Sequence, residues 1–490
     1  LGIVFKQSFK NSLVIYLGFL IGGLNTVIFY PQFMESSYYG VVVSLLAASN
    51  LFMPLIGVGV HFAIIKFFSA YNEKQQRDRF LSTVLFLPLF VAIPIGFIWD
   101  NFHDWILSYV PEENSKLIEN FTLTIYIVAI ACAYFEVFYA WAKVQLKSVL
   151  GNVLKEFWNR AAVMLLLLAV AFDFLTKPQF IYVLTGMYIL RTLVMMIYAF
   201  SLYLPKFSLK PPENFGEVIR YGLYILLAGS AGAILLDIDK IMIPGKETFE
   251  KAAYYTVAVY IGTFIEVPSR AMRQILEPLT SQNLNDNDEK EVSSLYKRSS
   301  INLLVIGGLF FLLVNCSIHE FFKMMEEGFA GGELIVLMIS FAKLYNVFLG
   351  NNRDIINNSK FYRIALPFAV GSGFSVYFLN KYFYFDLDYG TDGLAFATLI
   401  TIFVFNSMKL WFVYYKFKMS PFTNRTFVML LLIAVFFGVF YYWNFSFHPI
   451  VNIILKSTII GVVYMISILK LKISPDLNLI ASKLLQRFCK

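Results

Sequence analysis

FLSTVLFLPLFVAIPIGFIW, residues Phe80 to Trp99, carries no charged side chain and reads as one crossing of a lipid bilayer. A helix of that length, at roughly 1.5 Å rise per residue, covers a hydrocarbon core of about 30 Å. Similar runs, such as Phe427 to Phe445, recur from Ser12 to Lys470 between short polar loops. Fourteen spans are expected: residues 12–30, 41–65, 80–99, 118–141, 158–175, 180–204, 217–236, 252–276, 300–318, 334–350, 362–380, 393–414, 427–445 and 449–469. The composition agrees, with 58% hydrophobic, 18% aromatic and 15% charged residues, against roughly 25% charged in an ordinary globular chain. The expected fold class is an all-α polytopic membrane protein with no soluble domain.

Cytoplasmic loops retain positive charge, and Lys and Arg alternate between the two sides of this chain. One side holds Lys6 and Lys10, then Lys66 to Arg79, Lys143 to Arg160, Lys206 and Lys210, Arg270 to Arg298, Arg353 to Arg363, Lys416 to Arg425, and Lys470 to Lys490. The opposite loops hold none or one each, except 237–251, where Lys240, Lys246 and Lys251 are offset by four acids. Both termini are therefore expected in the cytoplasm. The net charge of +8 reads as this topology signal and as anchoring to anionic headgroups, not as nucleic-acid binding. No small-residue cleavage site follows the first apolar run, so it is expected to stay as a helix. Cys132, Cys316 and Cys489 have no metal or redox spacing.

Pro205, Pro211 and Pro212 make residues 205–216 a stiff cytoplasmic connector. Across it, Tyr38-Tyr39-Gly40-Val41 and Tyr254-Tyr255-Thr256-Val257 match at an offset of 216, as do Asn72-Glu73-Lys74 and Asp288-Glu289-Lys290. The expected organisation is a six-helix bundle at 1–204, the linker, a second six-helix bundle at 217–415, helices 13 and 14 at 416–470, and a cytoplasmic tail at 471–490. Two six-helix halves share one orientation, related by a pseudo-two-fold axis along the membrane normal, an arrangement that in transporters places the substrate site between repeats.

Much chemistry is missing. Gly245-Lys246 is followed by Glu247 and has no upstream phosphate-loop glycine; His61, His103, His319 and His448 are scattered, with no metalloprotease spacing. No metal, cofactor or catalytic residue is expected. An intramembrane glycan polymerase or ligase would need catalytic groups on an outer loop, and the longest, 100–117, offers His103, Asp104, Glu112 and Glu113, which an acidic solvated loop also explains.

Ionisable groups at mid-membrane are costly unless paired or hydrated, and so mark functional positions. Arg191 lies about 16 Å into the sixth span and Lys343 about 14 Å into the tenth. Neither has an acid three or four residues away on its own helix. Both suit an anionic ligand, or else a buried pairing with Glu136 or Glu266. Glu266 has Arg270 at i+4, and Arg273 with Glu277 repeats the spacing; Pro268 between them loosens the eighth helix and offers a gating bend. Glu136 and Glu266 are the acids available for ion coupling, Glu136 also being within reach of Lys143. Asp237, Asp239 and Lys240 end the seventh helix. Arg160, Arg220, Arg270, Arg273 and Arg353 could gather a phosphorylated substrate at the inner mouth, or simply anchor topology. Tyr38, Tyr39, Tyr441 and Tyr442 read as interfacial belts.

The chain resembles the bacterial oligosaccharide flippases, the polysaccharide-export branch of the multidrug/oligosaccharidyl-lipid/polysaccharide exporter superfamily, over nearly its whole length. The residues that carry the resemblance are Leu235-Leu236-Asp237-Ile238-Asp239-Lys240-Ile241-Met242-Ile243 running into Ala253-Tyr254-Tyr255; Ile355-Ile356-Asn357-Asn358-Ser359-Lys360-Phe361-Tyr362-Arg363; and Tyr389-Gly390-Thr391-Asp392-Gly393-Leu394-Ala395-Phe396-Ala397-Thr398, where Leu394 replaces a small residue. The resemblance implies translocation of a polyprenyl-diphosphate-linked oligosaccharide from the cytoplasmic to the periplasmic leaflet of a bacterial inner membrane, for surface polysaccharide assembly. Its partners would be that lipid, the surrounding membrane lipids and glycan polymerase machinery, with the transport path inside one monomer. Arg191 and Lys343 are the cations expected at the diphosphate, in a cationic cavity between the bundles, and helices 13 and 14 would guide the polyprenyl chain. The rival is a cation-coupled multidrug antiporter of the same superfamily; the first span, however, offers Asn25 and no acid. Peptidoglycan-precursor flippases are a further rival, but the first two spans lack a cation cluster.

Overall fold

Hydrocarbon offers no partner to a backbone N–H or C=O, so a crossing segment must satisfy its own. Every regular element among the described residues is accordingly a helix. The computed structural model describes residues 2–479, except 69, 70, 72, 146, 326, 330 and 444, with side chains from Leu13 onward apart from those of 228, 229, 233, 236, 271, 274 and 327. Asn72 of the repeat, the tail from Ile480 onward and Cys489 lie outside the described residues.

The helices that correspond to the expected spans are α1 (Leu13–Phe33), α2 (Ser36–Gly57), α3 (Lys74–Phe97), α4 (Thr122–Lys143), α5 (Asn159–Ala171), α6 (Lys177–Leu202), α7 (Phe215–Met242), α8 in two parts (Phe249–Thr263 and Val267–Asn285), α9 (Glu289–Phe322), α10 (Glu333–Phe348), α11 (Ala365–Asn380), α12 (Gly390–Phe417), α13 (Asn424–Tyr442) and α14 (Pro449–Lys470). Among the described residues nine are long and apolar enough to cross a membrane unaided, or ten if α7, bent by 66° between Gly232 and Asp237, is one span. The chain is a multi-pass membrane protein. Runs 5, 8, 10 and 11 of the expected fourteen are helical but short or interrupted.

Two compact units emerge. The first holds residues Leu1–Thr256 and Ala369–Lys381; the second holds Val257–Phe368 and Tyr382–Lys490. In the first, Phe80, Phe135, Trp141 and Phe180 are buried among α2, α3, α4 and α6. Backbones meet where glycine permits it. A Cβ on Gly18 would stand 2.4 Å from the Glu156 carbonyl oxygen, so α1 lies directly on the turn before α5. There Asn25, buried in a π-type turn of α1, donates its Nδ2 to the Arg160 carbonyl at 2.7 Å. Val58 and Gly59, with φ of 46° and 66°, end α2 before Val60–Phe67.

Tyr39 corrects an expectation. Rather than standing in an interfacial belt, it is 1% exposed, stacks on Tyr30 at 4.2 Å between ring centroids, and donates its hydroxyl to the Thr26 carbonyl. Tyr255, its counterpart in the repeat, is buried as well and donates to Asp239 of the preceding helix. Tyr442, by contrast, is exposed.

In the second unit α13 and α14 pack on α9, where Tyr464 donates to the Val305 carbonyl at 2.7 Å. Ile433, Phe436, Leu312 and Ile460 fill that seam. The opposite faces of the pair present Phe427, Leu431, Val435, Ile454 and Val462 outward, as a lipid-facing surface requires. Residues 474–476 clasp α9: Arg298 and Asn302 both donate to Asp476, at 2.8 and 2.7 Å.

A Cβ on Gly59 would meet the Gly222 carbonyl oxygen at 2.3 Å, whereas one on Gly216 meets nothing within 4 Å. Strain at positive φ and the clash with backbone together should cost Gly59→Ala on the order of 2–4 kcal/mol. Thermal unfolding of the detergent-purified protein should show Gly59→Ala several degrees below wild type and Gly216→Ala close to it.

Candidate functional site

The intramembrane charges divide between the two units. In the first, Arg191 projects from α6 against α4 and is 5% exposed. Its guanidinium lies 4.1 Å from the Phe135 ring centroid and 5.0 Å from that of Tyr188, with Nη2 3.4 Å from the Cys132 sulfur. Its Nε has no acceptor and no carboxylate comes within ion-pair distance, among the described residues. Thr192 beside it donates to the Ala131 carbonyl at 2.7 Å, which fixes α6 on α4 and holds Arg191 between the aromatic faces. Such stacking favours the cation without cancelling its charge.

Glu136, one turn along α4 from Cys132, pairs with Lys155 at 2.5 Å rather than with Arg191 or Lys143. Lys143 rests over the Tyr139 ring at 4.0 Å. Arg160 meets Glu156, in the turn before α5, at 3.0 Å, and Arg220 is exposed on α7.

In the second unit the acid decides the arrangement. Phe264–Glu266 forms a 3-10 turn, and Pro268 sits near the start of Val267–Asn285, where a missing N–H is harmless. Pro268 thus separates α8 into two helices instead of kinking one. Glu266, buried at this break, lies 3.1 Å from Lys343 and 4.0 Å from Arg270, so its nearer partner is on α10. Asn346 donates to the other Glu266 oxygen at 3.0 Å; Asn406 donates to Asn346 at 3.2 Å; and Lys409 reaches Asn406 Oδ1 at 3.4 Å. Lys343 is therefore engaged by a buried carboxylate. Arg273 and Glu277 do not close an ion pair; Arg273 acts instead on Asp354, in the short helix Asn352–Asn357 between α10 and α11.

The acidic motif at the end of α7 is a latch inside the first unit. Asp237 is held by Lys240 at 2.7 Å and by Asn50 of α2 at 3.0 Å; Asp239 accepts from Tyr255 and from Asn380 of α11, the latter at 2.6 Å. The residues of segment 100–117 are not gathered into a pair: His103 bonds Thr122 at 2.7 Å, Glu112 pairs with Lys116 at 2.8 Å, and Asp104 and Glu113 are exposed.

Two lysines escaped the sequence reading. Lys409 lies within the twelfth span and Lys456 within the fourteenth. Lys456 is fully buried, with Cys316 and Glu320 of α9 acting on it. The signal available was the one used for Arg191, a charge inside an apolar run.

No family model and no curated protein matches the sequence. Solved structures do match. A lipid II flippase MurJ in an inward closed conformation superposes with a TM-score of 0.70 at 13% identity, covering 93% of this chain and 97% of that one. An inward-facing multidrug resistance MATE family transporter of the MOP superfamily gives 0.59 at 13% identity, over 88% and 95%. A MOP superfamily transporter from Pyrococcus furiosus, described as having a binding pocket of reverse polarity, gives 0.56 at 14% identity, over 84% and 96%. The fold is that of MOP-superfamily transporters.

Removing Lys343 strands Glu266 in a buried site, so Lys343→Ala should cost about 3 kcal/mol, and the Glu266→Gln/Lys343→Met pair should recover most of it. A thermal-unfolding double-mutant cycle reads this directly. Asp354, outside the spanning segments, is raised by burial from 3.8 to about 6, with Arg273 working against the rise. A raised carboxylate pKa means that its ionisation opposes folding as pH climbs through that window. Asp354→Asn should thus match wild type near pH 4 and unfold at higher temperature at pH 7.5, by at most about 3 kcal/mol in stability.

Proposed function

We propose that the chain is a flippase, moving a polyprenyl-diphosphate-linked oligosaccharide from the cytoplasmic to the outer leaflet of a bacterial inner membrane by alternating access, for surface polysaccharide assembly. The observation that carries this reading is Arg191, a cation deep in the sixth span with no carboxylate in ion-pair range among the described residues. A charge held in hydrocarbon without a counter-ion favours an anionic substrate that supplies one. The likeness in fold to a lipid II flippase supports the lipid-linked class, and the motifs from Asp237 to Thr398 support the oligosaccharide branch. Both termini are placed in the cytoplasm, by the Lys and Arg distribution, and the working unit is a monomer. Of the two cations expected at the diphosphate, Arg191 is retained; Lys343 serves to neutralise Glu266.

A second reading, a cation-coupled multidrug antiporter, draws on the buried carboxylates Asp239 and Glu266 and on the MATE-like fold. Both acids already hold partners, which favours the flippase.

The test depletes the protein in host cells and restores wild type, Arg191→Lys or Arg191→Ala, then measures the leaflet distribution of lipid-linked oligosaccharide. Wild type should relieve cytoplasmic accumulation, Arg191→Lys should do so in part, and Arg191→Ala should be at least tenfold slower at equal abundance. Equal rescue by Arg191→Ala removes Arg191 from the site. Unchanged lipid-linked sugars with increased sensitivity to cationic drugs would establish the antiporter instead.

A further inference from the structure

Residues 203–214, between the end of α6 at Leu202 and the start of α7 at Phe215, form no helix. They are nevertheless bound at four points to the start of α3 and the segment before it. Tyr203 donates its hydroxyl to the buried Asp78 at 2.7 Å, and the Ser208 N–H donates to Ser82 Oγ at 3.1 Å. At the far end Gln76 donates to Glu213 and Tyr71 to Asn214. The connector is strapped onto one end of α3 rather than crossing free solvent.

Where the strap lies follows from α3. The charge-free run of that helix begins at Phe80, so Ser82 and Phe86 stand about 3 and 9 Å into it at roughly 1.5 Å per residue. Phe207 packs on Phe86, with ring centroids 6.4 Å apart. Beyond Phe86, the side chains of Phe90, Ile93 and Phe97 follow at helical spacing and are exposed, Phe90 by 73%. In a multi-pass protein such a stripe faces lipid. Phe207 prolongs it onto the connector, where Leu204 and Leu209 are exposed as well, Leu209 by 95%.

Backbone without helical bonds does not face lipid inside the hydrocarbon, and this stretch is suited to the boundary. Pro205, Pro211 and Pro212 bring no N–H. The Tyr203 N–H donates to the Ala199 carbonyl at 3.1 Å, and that of Lys210 to Ser208 Oγ at 3.2 Å. Lys206 and Lys210 are exposed and have no ion pair among the described residues. Lysine stems reach from an apolar strip to the headgroup level, where anionic lipids attract the ammonium. An apolar strip continuous with a lipid face and edged by two cations fits a phospholipid, not a protein partner.

We infer that residues 203–210 form an interfacial lipid site, in which Leu204, Phe207 and Leu209 insert among acyl chains beside Phe86, and Lys206 and Lys210 take the phosphate of an anionic phospholipid. The lipid thereby holds the junction of α6 and α7 at the membrane boundary. Neither part of the inference depends on what the protein transports.

The full chain carrying Cys489→Ser is placed in nanodiscs with a fluorophore on Leu209→Cys, Phe90→Cys or Lys290→Cys in turn, Cys132 and Cys316 being buried. Lys290 is exposed near the start of α9 and serves as the aqueous reference. Quenching by phosphatidylcholine with a nitroxide high on its acyl chain should approach, at Leu209→Cys, that at Phe90→Cys and exceed that at Lys290→Cys about threefold. Quenching at Leu209→Cys no stronger than at Lys290→Cys puts the strap in water and overturns the site. Protection of the Leu209→Cys label from both the lipid nitroxide and aqueous iodide, with two chains per disc, would give the face to a second copy and overturn the site too.

Headgroup choice is read by native mass spectrometry after gentle delipidation from phosphatidylcholine mixed with phosphatidylglycerol. Wild type, Lys206→Arg/Lys210→Arg and Lys290→Gln should each retain about threefold more phosphatidylglycerol than Lys206→Gln/Lys210→Gln. Equal loss in Lys290→Gln would reduce the effect to general surface charge, and undiminished retention in the Lys206→Gln/Lys210→Gln pair would remove the lysines from the site. Either result overturns the headgroup assignment.

Discussion

An ion in hydrocarbon must be given a counter-charge by the protein or by what the protein carries, and the internal arrangement of this chain follows from that demand. Glu266 shows the first solution. Its carboxylate is buried where α8 breaks, and α10 supplies Lys343 and Asn346 to meet it. Glu136 and Lys155 solve the same problem between α4 and the turn before α5. Arg191 has aromatic faces and a sulfur in place of a carboxylate.

Backbone obeys the same solvent rule, and departures from regular helix occur where a side chain takes over a polar duty. Asn25 reaches the Arg160 carbonyl from a π-type turn, and Glu266 sits in the 3-10 turn that ends Phe249–Thr263. Pro268 then starts the next helix at no hydrogen-bonding cost. Such interruptions are tolerable in a membrane only when protein surrounds them, and both of these side chains are buried.

The residues of the α7 motif gain a structural meaning from the same accounting. Asp237 and Asp239 are gripped by Asn50, Lys240, Tyr255 and Asn380. The second of these acids ties residues 369–381 into the first unit, where a Cβ on Gly373 would stand 3.1 Å from the Ala231 backbone. The motif thus ties α2, α8 and α11 to α7, and a structural duty of this kind is sufficient to account for its two acids.

The apolar runs were legible without coordinates because a bilayer imposes a length and a polarity on each segment independently of its neighbours. The multi-pass class follows from local sequence, and so does an irregularity of α8 beside Pro268. Partner choice does not. Whether Lys343 or Arg270 lies nearer Glu266, and whether Tyr39 lies in a belt or against Tyr30, depend on which helix faces which. Side chains separated by tens to hundreds of residues along the chain meet only through packing, and helical periodicity places a residue on a face without naming the face opposite. The sequence by itself determined that the charges had to be answered, since solvation energy is a property of each residue and its depth. The tertiary structure alone decided which were answered by the protein, because an ion pair is a property of two helices.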